Sequence, residues 1–245
     1  MKKLVIIPGG FHPFHAGHMS LYNAARSAFP SADVYVAATA DTSSRPFPFK
    51  LKKMLAVAAG VPANRFIQVK SPFRSEEITQ HYDPATTQLI YVRSEKDRDV
   101  QPLPGGTRKS DGKPAYLQPY TRAGRLPMDQ HGYMTYLPVE QFGPGMTSAT
   151  EIRNKWPEMD DTQKAALLTV LYPNTTSPQA TQKLTDIMDQ VLDAGPDDLE
   201  EGTYVARKAD VIDNILRQIK DKAQDDDEML KQLASMITKK ADPRS

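Results

Sequence analysis

The chain has 245 residues, contains no cysteine, and carries 31 Lys and Arg against 30 Asp and Glu, for a formal net charge of +1. This length allows one large domain, or one domain with an appendage. The absence of cysteine excludes disulfides, thiolate zinc sites, iron–sulfur clusters and a cysteine nucleophile. No apolar run approaches the ~18–20 residues of a membrane span, and the N-terminal run is too short for a secretory signal. These patterns favour a cytoplasmic protein that does not contact membranes.

Strand-like and helix-like patterns alternate through the first part of the chain. Short apolar runs predict strands at 4–7, 34–39, 66–69, 89–92 and 133–139. Apolar residues at helical spacing predict helices at 17–29, 51–59, 148–156 and 160–172. This alternation is typical of an α/β fold with a Rossmann-like parallel sheet and crossover helices, and we expect it to occupy residues 1–172.

Two further regions differ in composition from this part. Residues 99–130 are rich in Pro, Gly, Arg and Lys, and their lack of periodicity predicts a long excursion or lid. After a linker at 174–179, apolar stripes at helical spacing predict an all-helical C-terminal extension over 178–245. Basic residues outnumber acidic ones by 21 to 15 up to residue 172, whereas the remainder has 10 basic and 15 acidic residues. We expect the acidic extension to mediate homo-oligomer formation or to bind a protein partner.

The 9–18 loop, GGFHPFHAGH, lies between the first predicted strand and the first predicted helix. In open parallel sheets this carboxyl edge is where ligands bind. Gly9 and Gly10 allow backbone N–H groups to approach a phosphate closely, and the helix that begins near Gly17 directs unpaired N–H groups at an anion. The loop lacks the Lys-Ser/Thr ending of a Walker-type loop and the three-glycine dinucleotide fingerprint.

Three histidines, His12, His15 and His18, recur in this loop at a spacing of three residues. They can bind phosphate, hold a metal ion, or simply pack at the start of a helix. A zinc site needs a compatible ligand geometry and usually a further ligand, and Pro13 and Gly17 prevent the three rings from sharing one helical face. We therefore favour phosphate binding by His15 and His18.

The loop residues carry a resemblance to a known family. The pattern Gly10-Phe11-x-Pro13-x-His15-x-Gly17-His18 resembles the first signature of the HxGH-motif nucleotidyltransferase superfamily. This superfamily includes cytidylyltransferases, nicotinamide-nucleotide and pantetheine-phosphate adenylyltransferases, and FAD synthetases. Many of its members carry an acidic or amide residue where this chain has His12. The segment 147–153, TSATEIR, resembles the family's second motif, ISSTxIR, with Ala149 in place of the second serine.

The resemblance implies that an adenylyl or cytidylyl group moves from ATP or CTP to a phosphorylated small molecule, with release of pyrophosphate. Mg²⁺ would arrive with the nucleotide. Adenylyl transfer, in particular to nicotinamide mononucleotide, is slightly favoured by the look of the loop. In this family pattern His15 and His18 hold the α- and β-phosphates, and the second motif holds the β- and γ-phosphates. The loop positions in the implied nucleotide-binding set are Gly9, Gly10, Phe11 and Gly17.

The second motif also makes physical sense without the resemblance. Ser148 and Thr150 can cap the helix that begins there, with their hydroxyl and N–H groups directed at an anion. Arg153, one turn later, can reach the same anion with its planar set of donors. Ordinary helix capping explains the two hydroxyl residues equally well.

Two weaker candidates lie elsewhere in the chain. Lys53 belongs to a cluster with Lys50 and Lys52 and could neutralise a phosphate, but a solvated helix face is the preferred interpretation of all three. Asp97 ends a segment, 94–97, that lies where relatives carry a ribose-binding turn. A plain surface turn is the preferred interpretation there.

The main alternative is a non-catalytic protein that retains the fold or nucleotide binding, while the acidic tail mediates assembly. Ala149 and the atypical 94–98 turn favour that alternative, whereas the joint presence of His15, His18 and Arg153 argues against it. Nucleic acid is a disfavoured partner. The basic stretch at 106–125 also fits a lid over an anionic substrate.

Overall fold

The structure, a computed structural model, describes residues 1–40, 46–121, 125–139, 148–175 and 177–192. The described strands are β1 (Lys2–Gly9), β2 (Asp33–Ala38), β3 (Phe66–Gln68), β4 (Thr87–Ser94), β5 (Leu117–Pro119) and β6 (Gly132–Leu137). The described helices are α1 (Ala16–Ala28), α2 (Phe49–Ala59), α3 (Glu76–Thr79), α4 (Ala149–Lys155), α5 (Asp161–Leu171) and α6 (Pro178–Leu192).

The six strands form one sheet in the order β3-β2-β1-β4-β6-β5, and every pairing in it is parallel. This confirms the prediction of a Rossmann-like α/β fold. The two central strands, β1 and β4, each contain a continuous buried run, as expected for parallel strands shielded from water. The run Leu4–Ile7 in β1 is buried, and so is β4 from Thr87 to Arg93.

The region predicted as an excursion, 99–130, contributes a strand that the sequence pattern did not reveal. Within it, β5 pairs with β6 at one edge of the sheet, with Leu117 opposite Gly132. Three residues are too few to show an alternation of apolar and polar side chains, so periodicity could not detect this strand. The lid assignment stays a prediction.

The chain forms two compact units. The described residues of the first, which we call the sheet unit, are 1–10, 18–40, 64–121 and 125–139. The described residues of the second, the helical unit, are 11–17, 46–63, 148–175 and 177–192. The boundaries expected from sequence, at 172 and 178, stay predictions.

In the helical unit, α5 packs against α6, and a short 3-10 helix, Trp156–Glu158, contacts α6. Asp189 of α6 accepts hydrogen bonds from Lys164 Nζ at 2.6 Å and from Trp156 Nε1 at 2.8 Å. The lysine is buried and the indole is fully buried. One carboxylate therefore connects three consecutive helical segments.

The predicted helical extension is described only over its first helix. The first apolar stripe lies on α6 and is buried, and its members are Leu184, Ile187, Met188, Val191 and Leu192. The second stripe (Ile212, Leu216, Ile219) and the third (Leu230, Leu233, Ala234, Ile237) lie outside the described residues. The extension as a whole therefore stays a prediction. Among the helices described, none has the length and apolar character needed to cross a membrane.

Candidate functional site

The loop that follows β1 has a strained backbone at Phe11. This residue adopts φ of +54°, a left-handed conformation that costs a non-glycine residue about 1–3 kcal/mol. Its ring is buried and lies 5.5 Å, centroid to centroid, from the ring of Phe14. The His12–Pro13 peptide bond is cis. Burial of two aromatic rings offsets the backbone strain, so packing fixes the shape of this part of the loop.

His12 is held at two of its polar groups. The side chain is only 3% exposed, and its Nδ1 accepts a hydrogen bond from the backbone N–H of Phe47 at 3.3 Å. Its carbonyl oxygen accepts a hydrogen bond from Arg153 Nη1. These contacts join the loop to two distant segments of the helical unit.

His15 is buried, and its Nδ1 accepts a hydrogen bond from the backbone N–H of Gly17 at 3.1 Å. A nitrogen that accepts an N–H bond carries no proton, so the proton of the neutral ring lies on Nε2. The Nε2–H group is a donor, which is the chemistry that a phosphate oxygen requires. Gly17 lies in the first turn of α1.

His18 is the third residue of α1 and belongs, with Gly9 and Gly10, to the sheet unit. Desolvation by burial lowers the pKa of its imidazole to about 3. The ring is therefore neutral at neutral pH, because burial removes hydration that stabilises the protonated form. Of the two roles that the sequence leaves open for this side chain, the structure favours hydrogen-bond donation over positive charge.

The second motif begins α4 with a capping box. Ser148 Oγ accepts from the N–H of Glu151 at 3.2 Å, and the N–H of Ser148 donates to Glu151 Oε2 at 3.0 Å. The predicted helix start is correct. This reciprocal pair satisfies N–H groups at the helix start, so capping already explains the serine. Its contact with a phosphate stays a prediction.

Arg153 connects the two motifs. Its Nη1 donates to the carbonyl oxygen of His12, 141 positions earlier in the chain, and its Nη2 donates to Thr150 Oγ1 at 3.1 Å. Both partners lie in the helical unit. The two contacts use two of the five N–H donors of the guanidinium and hold its plane against the loop.

Tyr172, the residue that follows α5, is a loop contact that sequence reasoning missed. Its side chain is fully buried, and its hydroxyl donates to the carbonyl oxygen of Phe14 at 2.7 Å. Burial raises the pKa of this phenol, so it keeps the proton that it donates. A tyrosine at the end of an apolar helix is so common in cores that the sequence offered no signal for this contact.

The lysine cluster on α2 differs from the expected solvated face. Lys50 is exposed and Lys53 is half-buried, but Lys52 is 0% exposed. The prediction is therefore wrong for Lys52. It lies on the buried helical stripe that continues through Leu55, Ala56 and Ala59, and this stripe is wider than the apolar residues alone indicate.

Asp97 lies in the sheet unit, in the 3-10 turn Glu95–Asp97 that follows β4. Ser94 Oγ accepts from the N–H of Lys96 at 3.3 Å and caps this turn. The Asp97 carboxylate pairs with Arg93 at 3.9 Å. A capped surface turn with an ion pair accounts for these residues, and the ribose contact stays a prediction.

The loop histidines are not part of a cluster of possible metal ligands in the part of the chain that the structure describes. Over those residues, no group of three or more His, Cys, Asp or Glu side chains is placed to hold a metal ion. The Nδ1 atoms of His12 and His15 both accept backbone N–H bonds.

No protein-family model matches the chain, and no curated protein matches it. Among the solved structures that match is a bifunctional NMN adenylyltransferase/ADP ribose pyrophosphatase from Francisella tularensis, complexed with AMP and a manganese ion. It is 14% identical in sequence, with a TM-score of 0.39, and the match covers 79% of this chain and 55% of that one. The chain thus matches about half the length of that protein, and the likeness is too low to transfer an activity.

Proposed function

We propose that this protein is a nucleotidyltransferase of the HxGH-motif superfamily, which moves an adenylyl or cytidylyl group from ATP or CTP to a phosphorylated small molecule. The observation that carries the proposal is the hydrogen bond from Arg153 to the carbonyl oxygen of His12. Helix capping explains Ser148, but it gives no reason for the arginine of one motif to contact the loop of the other. A shared anionic ligand does give such a reason.

The reaction is a single displacement at phosphorus. An oxygen of the acceptor phosphate forms a bond to the α-phosphorus of the triphosphate. The bond to the α–β bridging oxygen breaks, and its electron pair leaves with pyrophosphate. The protein supplies position and electrostatic stabilisation, because charge grows on the phosphate oxygens as the transition state forms.

His15 and His18 act in this proposal as neutral donors to the α- and β-phosphates. The Nε2–H group of His15 follows from the bond that its Nδ1 accepts. The neutral state of His18 follows from its lowered pKa. Backbone N–H groups at Gly9, Gly10 and Phe11 are proposed to complete the phosphate-binding loop, as glycine-rich turns at helix N-termini do elsewhere. Gly17, whose N–H is used by His15, keeps the turn between the two histidines free of a side chain.

Arg153 is proposed to place a permanent positive charge beside the β- and γ-phosphates. Ser148 and Thr150 are proposed to donate hydrogen bonds to the same phosphates. Lys53 and Asp97 are proposed to contact a phosphate and the ribose, respectively. Mg²⁺ is proposed to reach the site on the triphosphate oxygens, where it would neutralise charge on the leaving group.

The test is a pyrophosphate-release assay of ATP and CTP against a panel of phosphorylated acceptors. We expect turnover with at least one pair and its loss in His18→Ala, since one such donor is worth about 10²–10³ in rate. The matched control is His81→Ala, which removes an exposed histidine of the sheet unit and should leave the rate unchanged. Full activity in His18→Ala would contradict the mechanism. Nucleotide binding without turnover across the panel would instead support the non-catalytic alternative.

A further inference from the structure

We propose that His12 is a positioning residue, whose imidazole fixes the loop so that its own carbonyl oxygen holds Arg153 in place. The inference rests on the proposed function, because it concerns the arginine that we assign to the phosphates. His12 itself has no role in the reaction described above.

The first step is the protonation state of the ring. A backbone N–H can donate only to a ring nitrogen that carries no proton, and Phe47 N–H donates to His12 Nδ1 at 3.3 Å. An imidazolium would place an N–H group at that position and lose the bond. The buried ring is therefore neutral, with its proton on Nε2, and it lies edge-on to the Phe47 ring at 6.3 Å between centroids.

The second step is the link between the ring and the guanidinium. The imidazole and the carbonyl group that Arg153 contacts belong to one residue, so a ring fixed at Phe47 also restricts the direction of the carbonyl. A hydrogen bond from a charged guanidinium is stronger than a neutral one, but it depends on direction. With Thr150 Oγ1 as the second contact, at 3.1 Å, the plane of the guanidinium is set by two acceptors.

If His12 only filled space, its hydrogen-bond acceptor would not matter. An apolar residue of similar size could fill the same volume, but it would leave the N–H of Phe47 without its acceptor. The three segments that meet at His12 are separated by 35 and 141 positions in the chain. An acceptor at the Nδ1 position, rather than bulk, is therefore the property that this residue contributes.

The first experiment compares two substitutions in the full chain. His12→Asn keeps an acceptor near the Nδ1 position, whereas His12→Leu fills the space without one. We expect His12→Asn to retain most of the turnover number. We expect His12→Leu to lose about 10²-fold in kcat with a smaller change in KM for the triphosphate, as for a misplaced catalytic group. Equal activity in the two variants would overturn the proposal.

The second experiment is a double-mutant cycle with Arg153→Ala. If His12 acts through Arg153, His12→Leu should cause no further loss of kcat in the Arg153→Ala background. Losses that multiply would overturn the proposal, because a general structural role does not depend on the arginine. His12→Gln, whose amide reaches past the Nδ1 position, replaces His12→Leu in the same cycle if the leucine variant does not fold.

A binding measurement separates failure of this inference from failure of the proposed function. The Kd of inorganic pyrophosphate is measured by calorimetry for the wild type and for each member of the cycle. A wild type that neither binds pyrophosphate nor turns over would defeat the proposed function, and the positioning role with it. A wild type that binds and turns over, but shows no coupling between the two residues, would defeat the positioning role alone.

Discussion

Different kinds of interaction stabilise the interior of the sheet unit and the interior of the helical unit. In the sheet unit, stability is spread over parallel strand pairs and apolar side chains such as Leu4, Ile6 and Tyr91, which belong to one buried cluster. In the helical unit, single polar side chains join distant segments, as Arg153 and Tyr172 do at loop carbonyls. We therefore expect the stability of the sheet unit to depend on many small contributions, and the shape of the loop to depend on a few individual contacts.

The largest expected effect is at the carboxylate that connects three helical segments. Asp189→Asn removes the charge that Lys164 pairs with, and that lysine side chain is 9% exposed. Weakening the ion pair of a buried lysine is costly, and because Asp189 itself is 31% exposed we expect a loss of about 2–3 kcal/mol in unfolding free energy. Urea denaturation measures this loss.

The matched control for that substitution is Glu95→Gln in the sheet unit. It breaks the ion pair with Arg98, whose side chains are 57% and 50% exposed. Surface pairs contribute about 0–1 kcal/mol, so the control should change stability little. Equal losses for the two variants would remove the proposed difference between the units.

The second effect is a pH dependence that originates at His18. Its pKa is about 3 in the folded protein, against about 6.5 in an unfolded chain. Between pH 6.5 and 3 the imidazole is therefore protonated in the unfolded state but neutral in the folded state. The free energy of unfolding falls as the pH drops through this range. This contribution is fully present above pH 6.5.

His18→Gln should therefore flatten the stability profile, by at most about 1.4 kcal/mol for each pH unit below 6.5. Urea denaturation at pH 7.5, 5.5 and 4.5 gives the profile, and the relevant quantity is the difference between wild type and variant. His81→Gln, at an exposed position, should keep the wild-type slope. A slope unchanged in His18→Gln would mean that this imidazole is not the source.

The smallest effect concerns one hydroxyl in each unit. Tyr172→Phe deletes the bond to the Phe14 carbonyl, and Tyr116→Phe deletes a similar bond to the Met128 carbonyl in the sheet unit. Tyr172 is 0% exposed, whereas Tyr116 is 44% exposed. Because Phe14 is fully buried and its carbonyl loses a donor, we expect a loss of about 1–2 kcal/mol for Tyr172→Phe.

For Tyr116→Phe we expect less than about 0.5 kcal/mol, as for an ordinary surface substitution. Thermal unfolding of the two variants measures the difference. An equal shift in Tm would show that burial does not distinguish the two bonds.

The sequence predicted the sheet better than the contacts of the loop, for a physical reason. The run Leu4–Ile7 and the capping residues around Ser148 act locally, so their patterns predicted a strand and a helix start that the structure contains. The contacts of Tyr172 and His12 with distant segments have no local pattern, because either residue type also occurs in ordinary cores.

Two other features escaped prediction because the signal was misleading or absent. Lys52 is charged, so it was expected on the solvated face, but its position on α2 places it on the buried stripe. The strand β5 is too short for a pattern and is recognisable only through its pairing with β6. The two motifs of the candidate site were thus predictable from the sequence, but the contacts that join the loop to distant segments were not.

The contacts that Arg153 and Tyr172 make with the loop can form only late in the synthesis of the chain. Arg153 and Tyr172 follow their carbonyl partners by 141 and 158 positions, so both leave the ribosome long after the loop has been translated. The chain is synthesised from its N-terminus at about 5–20 residues per second. A chain released before residue 172 would contain every residue of the 9–18 loop but would lack the buried hydrogen bond from Tyr172 to the Phe14 carbonyl. The loop would therefore reach its final hydrogen-bonded arrangement late, and premature termination would yield chains that lack it.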